Sequence, residues 1–233
     1  MPAWLFALLS LMVVFVLYQI VGGLIIFLFF GTNVTASNVE AVRWATMLGQ
    51  IIFLLAPTIL LAKLRFPHVE NVFRFGGINL KEILLVLLAV FSLQQLLQGY
   101  MIVQESIPVS FPPYVQQLID RMKEMMEQMY TMLTAAHSIP EFLFVVIVIA
   151  ATPAVCEELL FRGLIQRTLE ETDSLINPTP REMKRRGLTA AIVAGIVFGL
   201  YHLNPFSFVA LAGLGVYFGF VVYRTQNIVT SVV

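Results

Sequence analysis

Apolar residues fall along this chain in long, nearly uninterrupted blocks, not at the two-residue or 3.6-residue spacing of a soluble fold. The blocks run from Trp4 to Phe30, Val42 to Ala62, Leu80 to Val103, Pro140 to Ile165, Leu188 to Leu203 and Phe206 to Tyr223. A helix needs roughly 20 apolar residues to cross a hydrocarbon core, so most of these blocks predict a complete span. Asn227 to Val233 reads as the opening of a seventh span that the chain does not finish. The first block has no basic flank and is too long for a signal peptide, so it is expected to be a span and not a cleaved leader. The pattern predicts an all-α, polytopic transmembrane helix bundle of about six complete spans plus a partial seventh.

Gln104 to Ser138 breaks the pattern. Pro108, Pro112 and Pro113 stop the third span, and beyond them the apolar residues change period. Val115, Leu118, Ile119, Met122, Met125, Met126, Met129 and Leu133 recur at helical spacing, with Gln116, Asp120, Lys123, Glu124 and Glu127 opposite. This spacing predicts an amphipathic helix over 114–133 that lies in the interface or caps the bundle. Its methionine stripe suits an adaptable peptide-binding surface as well as a packed or membrane-resting face.

Composition agrees with a membrane protein. Of the 233 residues, 59% are hydrophobic and 12% charged, with a mean hydropathy of +0.87; soluble domains sit near 45–50% apolar and about 25% charged. The formal net charge of +0 gives no electrostatic footprint for a nucleic-acid partner. Cys156 is the single cysteine, which excludes an intramolecular disulfide. If the spans alternate, Lys63, Arg65, Arg74, Lys81, Arg167, Arg181, Lys184, Arg185, Arg186 and Arg224 share one side, leaving Arg43, Arg121 and Lys123 on the other. Basic loops stay inside, so the N-terminus and the first set are expected to be cytoplasmic, and the amphipathic segment non-cytoplasmic. A bacterial plasma membrane is the expected location.

The chemistry concentrates where it is costliest. Within the fourth block, Glu157, Glu158 and Arg162 sit in an apolar run. One such residue at the bilayer centre costs roughly 2.5–3.5 kcal/mol on insertion scales. The three must therefore face protein or water and satisfy one another. Residues four apart share a helix face, so Glu158 and Arg162 can pair, while Glu157 lies about 100° round the helix without a built-in partner. A stabilising ion pair needs one carboxylate, and the second is a candidate general base. Pro153 removes a backbone hydrogen bond just upstream and permits a kink. In the fifth block, His202 follows Gly195 and Gly199, a small-xxx-small pair that admits another helix. Such an approach would let the fourth and fifth spans share a site. Asn204 and Pro205 end that helix, and Asn204 is a candidate supporting donor.

Glu-Glu-x-x-x-Arg (Glu157, Glu158, Arg162), followed by Phe-x-x-x-His (Phe198, His202) on the next span, resembles the CPBP family. These are the CAAX-processing and bacteriocin-immunity intramembrane proteases, related to the eukaryotic prenyl-protein endoprotease Rce1. The resemblance covers roughly 140–233 as a catalytic core, with 1–139 supplying N-terminal spans and the amphipathic segment of one integrated membrane domain. It implies an intramembrane endopeptidase acting on a membrane-associated peptide or protein. Glu157 would activate water, His202 would hold or deprotonate it, and Glu158 and Arg162 would organise the site, with Phe198 lining it. Zinc is a candidate cofactor in such a site, with Glu157 and His202 as ligands.

One element of the family pattern is missing. Family members carry a further His-x-x-x-Asn or His-x-x-x-Asp on the last core span, whereas the other histidines here are His68, in a basic loop, and His137, just before the fourth span. The run from Asn227 to Val233 looks like the approach to that motif, so the expectation is a fragment whose activity is impaired. Two other classes compete: a non-catalytic member that binds a membrane partner, for immunity or regulation, and a transporter relaying protons through Glu157, Glu158 and His202. The transporter reading expects repeated span patterns, and none is visible. Gln50, Gln94, Gln95 and Gln98 are expected to hydrogen-bond between helices. Gly213, Gly215 and Gly219 mark close packing, Cys156 packs, and Thr152 is a candidate hydrogen-bonding group at the site.

Overall fold

The computed structural model describes residues 1–31, 34–107, 112–171 and 179–232. It contains helices and no strands among those residues. The helices are α1 (Ala3–Phe30), α2 (Val39–Arg65), α3 (Glu70–Phe73), α4 (Leu80–Ser106), α5 (Pro113–Thr134), α6 (Ile139–Glu170), α7 (Pro180–Tyr201), α8 (Phe208–Thr225) and α9 (Val229–Val232).

Local chemistry sets their ends. Gly31, at φ 71°, takes the left-handed conformation that glycine adopts without a Cβ clash and closes α1. α2 stops at Phe66, whose extended backbone suits the residue before Pro67. α4 and α7 each start with a capping box, Asn79 with Glu82 and Thr179 with Glu182. Glu182 stands outside the apolar part of α7, and the Thr179 N–H and hydroxyl hold its carboxyl below the ordinary carboxylate range. Pro113 opens α5 in the position where a missing N–H is harmless; Pro108 lies outside the described residues.

Among the described residues five helices, α1, α2, α4, α6 and α8, are long and apolar enough to cross a membrane. The chain is an integral, multi-pass membrane protein. The sixth expected span, α7, is 22 residues long but spends its first two turns on Arg181, Glu182, Lys184, Arg185 and Arg186. Only Gly187 to Tyr201 is uncharged, shorter than a free-standing span requires. α7 is instead central, packed along α8 and against α6. α9 contributes one helical turn where the partial seventh span was expected, and Val233 lies outside the described residues.

The glycine pair of α7 differs from expectation in its partner. A Cβ on Gly195 would come within 2.3 Å of the Val216 nitrogen, and one on Gly199 within 2.8 Å of the Ala212 nitrogen. Both therefore face α8, not α6. Gly215 returns the contact, where a Cβ would sit 2.6 Å from the Gly195 carbonyl oxygen, and Gly219 meets Ala191 similarly. The hairpin of α7 and α8 is packed backbone to backbone.

The core runs through α1, α2, α6 and α7, with Phe6, Val14, Leu54, Leu160, Phe161, Leu164 and Tyr201 at its centre. α3 plugs one end: Val72 and Phe73 are buried, and Phe73 fills the space above Gly163, where a Cβ would be 2.5 Å from its ring. α4 buries only Val86 and α5 nothing. Gln94, Gln95 and Gln98 are accordingly exposed on α4, and of the four expected glutamines Gln50 bonds across helices, Nε2 donating to the Tyr18 hydroxyl at 3.4 Å.

The charged ends match the charge asymmetry of the sequence. Arg65 donates to the Met1 carbonyl at 2.9 Å and pairs with Glu171 at 2.5 Å, Arg74 pairs with Glu170, and Arg186 donates to the Glu171 carbonyl. The start of α1, the ends of α2 and α6 and the start of α7 thus share one basic end. At the other end, buried Arg43 pairs with Glu141 at 2.9 Å and donates to the carbonyls of Met132, Leu133 and Ala135. This single guanidinium satisfies last-turn carbonyls of α5 that have no partner within the helix. It ties the exposed amphipathic helix to the bundle.

Candidate active site

α6 is not a uniform α-helix. It widens to π-helical turns over Ile147–Ala151 and Leu159–Gln166, on either side of Thr152–Glu158. The first widening precedes Pro153, which cannot donate to the ladder, and the Thr152 hydroxyl bonds the Ile147 carbonyl five residues back at 2.8 Å. That bond occupies Thr152 within its own helix, and the expected contribution to the site is not what its hydroxyl does here. π-turns often accompany functional positions. α1 and α2 carry them too, at Val16–Gly22 and Gln50–Leu55; those stretches pack on each other, and the α2 stretch packs against Thr152–Glu158 of α6.

Glu158 and Arg162 form the expected i, i+4 pair, 3.2 Å apart, with side chains only 6% and 0% exposed. Arg162 is held by an ion pair, one hydrogen bond and two rings, while its Nε has no hydrogen-bond partner among the described residues. Its Nη2 donates to the Gly215 carbonyl at 2.9 Å, and its guanidinium lies over the rings of Phe198 (4.9 Å) and Phe218 (5.9 Å). Ser231 of α9 lies beside the Glu158 carboxylate. The four-residue rhythm continues: Gln166, wholly buried, donates to the Gly219 carbonyl at 3.0 Å and to Glu170 at 3.1 Å. Glu158, Arg162, Gln166 and Glu170 thus form one polar stripe that stitches α6 to α8. In the sequence the pair ended at Arg162; the same spacing carried one step of four residues further finds Gln166.

Glu157 points elsewhere. Its Oε2 lies 3.8 Å from His202 Nε2, and the two side chains keep 20% and 27% exposure. His202 Nδ1 is 2.8 Å from the Phe198 carbonyl oxygen. A carbonyl only accepts, so Nδ1 carries a hydrogen, and in the neutral ring Nε2 is then an acceptor facing Glu157. The Phe198 ring packs edge-on to the imidazole at 4.5 Å and Phe161 packs edge-on to Phe198 and Tyr201, fixing both rings. Glu157, Glu158, Arg162, Phe198 and His202 therefore converge, although the glycines that were expected to bring α7 to α6 serve α8.

The whole of this constellation lies in one stretch of sequence. Residues 139–233 match the family model described as Type II CAAX prenyl endopeptidase Rce1-like. Over that segment the chain is similar to the Rce1-like family. At the level of class, the match places the chain among membrane proteases. Searches of curated proteins and of solved structures give no match.

Other expected participants are occupied elsewhere. Asn204 accepts from the Phe206 and Ser207 N–H groups at 3.0 and 3.2 Å, capping the turn into α8, so it shapes the turn and does not support His202. His68 is exposed beside Glu70 on the basic end, and His137 sits before α6, where its N–H bonds Glu141. Cys156 is buried as a packing residue. The fit to zinc is poor: Glu158 is engaged by Arg162, and among the described residues no three His, Cys, Asp or Glu side chains group as a metal site. Glu157 and His202 supply two ligands, whereas catalytic zinc usually takes three from the protein. Three polar groups on α1 and α7 gave no signal in the sequence: Tyr18, Gln19 and Tyr201. Gln19 Nε2 donates to the Tyr201 carbonyl at 2.9 Å. Each looked like a lone polar residue in an apolar helix, and spacing gave no signal that they meet.

Proposed function

We propose that this protein hydrolyses a peptide bond of a membrane-tethered peptide or protein, with water activated between Glu157 and His202. The apposition of those two side chains, 3.8 Å apart and open to solvent, carries the reading. Two acceptors at that separation both lie within about 2.6–3.2 Å of one oxygen placed beside them. Such a water directs one O–H to the Glu157 carboxylate and the other to His202 Nε2, leaving a lone pair for the substrate.

Attack joins the water oxygen to the carbonyl carbon while Glu157 takes the proton. Collapse of the tetrahedral intermediate breaks the C–N bond, and the nitrogen leaves with that proton as an amine, while the other fragment becomes a carboxylic acid. Glu158 and Arg162 do not enter these steps. They fix the helix turn that presents Glu157, through Gly215 on α8. No step uses zinc.

The test is cleavage of membrane-tethered reporter peptides in liposomes, with and without a prenyl group on a C-terminal CAAX sequence. Cleavage that Glu157→Gln abolishes supports the reading, because an amide cannot accept the water's proton. Cleavage by the Glu157→Gln protein at the wild-type rate contradicts it, and the pair of reporters reads whether the lipid is recognised.

A further inference from the structure

α7 changes character at Gly187. Arg181, Lys184, Arg185 and Arg186 precede it, and no charged residue follows up to Tyr201. A charge at depth in hydrocarbon is costly, so this boundary marks where α7 passes from the membrane interface into the apolar core. At that level a cavity of about 440 Å³ is lined by Leu169 of α6 and by Arg185, Arg186, Thr189, Ala190 and Val193 of α7. Its lining holds two guanidinium groups, one hydroxyl and no acid. Arg186 is fixed by the bond from its Nη1 to the Glu171 carbonyl, and Arg185 is exposed. The carboxylates of this end are engaged elsewhere: Glu170 with Arg74, Glu171 with Arg65 and Glu182 with Thr179. The cavity is therefore cationic, at the level where lipid phosphates lie. Basic pockets between membrane helices at that level bind anionic headgroups.

A second cavity lies deeper on the same face of α7. A helix turns about 100° per residue, which puts Arg186, Val193, Val197 and Leu200 within about 60° of one another. Val197 and Leu200 form one wall of an apolar groove of about 260 Å³, and Leu11, Met12 and Phe15 of α1 form the other. At about 1.5 Å per residue, Val197 and Leu200 lie about 16–21 Å along the helix from Arg186. The groove thus reaches the midplane of a hydrocarbon core about 30 Å thick. Between the two cavities α7 presents Val193 and Ile196, both exposed. We propose that Arg185, Arg186 and Thr189 bind the phosphate of an anionic glycerophospholipid, and that one of its acyl chains lies in the groove between α1 and α7. A net negative headgroup suits the lining better than a zwitterionic one, whose ammonium would meet the same guanidinium groups. Phe198 and His202 lie about 120–160° round the helix from Arg186. The lipid accordingly occupies the outer face of α7 and leaves Glu157 and His202 open, and the inference is independent of peptide hydrolysis.

The test titrates the whole chain in non-ionic detergent with phosphatidylglycerol and with phosphatidylcholine of the same acyl chains, and reads bound lipid by native mass spectrometry. The salt is held at about 0.15 M, where exposed charges more than roughly 8 Å apart are largely screened. Phosphatidylglycerol should bind about tenfold or more tightly than phosphatidylcholine. Arg185→Gln should weaken phosphatidylglycerol about fivefold and leave phosphatidylcholine unchanged, with Thr189→Val as a second probe of the same phosphate. Lys184→Gln removes the same charge from the far side of α7 and should change binding less than about twofold. Met12→Trp fills the groove and should weaken the long-chain lipid more than dihexanoyl phosphatidylglycerol. Arg185, Thr189 and Met12 are all exposed, so none of these replacements disturbs the core. Equal binding of the two headgroups, or Lys184→Gln as damaging as Arg185→Gln, would overturn the phosphate site. Displacement of bound phosphatidylglycerol by inorganic phosphate would reveal an anion pocket and overturn the lipid as its ligand. Met12→Trp without effect on the long-chain lipid would overturn the path of the acyl chain.

Discussion

Glu157 and Glu158 are neighbours of one residue type on one helix, and α6 gives them opposite surroundings. Glu158 faces inward to Arg162, its side chain 6% exposed; Glu157 faces His202 at 20%, on a turn of α6 that packs against α2. The difference arises from the roughly 100° turn between consecutive helical residues. It teaches that a charge pair in a membrane protein need not be the reactive part. The sealed pair is a strut, and the open carboxylate beside it is free to exchange a proton with water.

Loss of the second acceptor should have the largest effect on the open face. His202→Phe keeps an aromatic ring against Phe198 but removes Nε2, and general-base groups typically contribute about 10²–10⁴-fold. Reporter cleavage should fall by that order while thermal unfolding in detergent stays near wild type. A comparable fall in unfolding temperature would mean that His202 belongs to the strut.

On the sealed face the effect should be on stability. Glu158→Gln leaves Arg162 buried without its counter-charge, and breaking a buried pair typically costs about 3–5 kcal/mol. Replacing both, with Glu158→Gln and Arg162→Met, should recover part of that loss. Unfolding measured by denaturant titration in micelles checks both. A double variant no more stable than the single one would show that the Arg162 bond to Gly215, not its charge, matters most.

Much of this contrast was legible in sequence because it follows helical spacing. The four-residue offset forecast the Glu158–Arg162 pair, and five of the six long apolar blocks forecast the membrane-length helices to within a few residues. The orientation of α7 was not legible. Gly195 and Gly199 permit a close approach without naming the helix that makes it, and only the packing of α8 decides that. Asn204 was similarly ambiguous, since its side chain serves equally as a site donor or a turn cap. The bond between α1 and α2 was hidden because Tyr18 and Gln50 are single polar residues whose meeting depends on tertiary packing.

Smaller effects should appear along the stripe and the hairpin that support the strut. Gly195→Ala forces a methyl against the α8 backbone, where overpacking typically costs about 1–3 kcal/mol. Gln166→Leu loses two hydrogen bonds, each worth about 0.5–1.5 kcal/mol net, offset by an apolar side chain in a buried place. Denaturant titration should rank Gly195→Ala as the more damaging. The reverse order would mean that the α7–α8 contact yields more easily than its 2.3 Å approach implies.

The most direct test of the division between the two carboxylates is reporter cleavage by Glu157→Gln protein in liposomes, scaled to the fraction that remains folded. The account predicts no detectable cleavage from protein that is as fully folded as wild type. Cleavage within tenfold of wild type per folded molecule, or a Glu157→Gln protein that fails to fold, would contradict it.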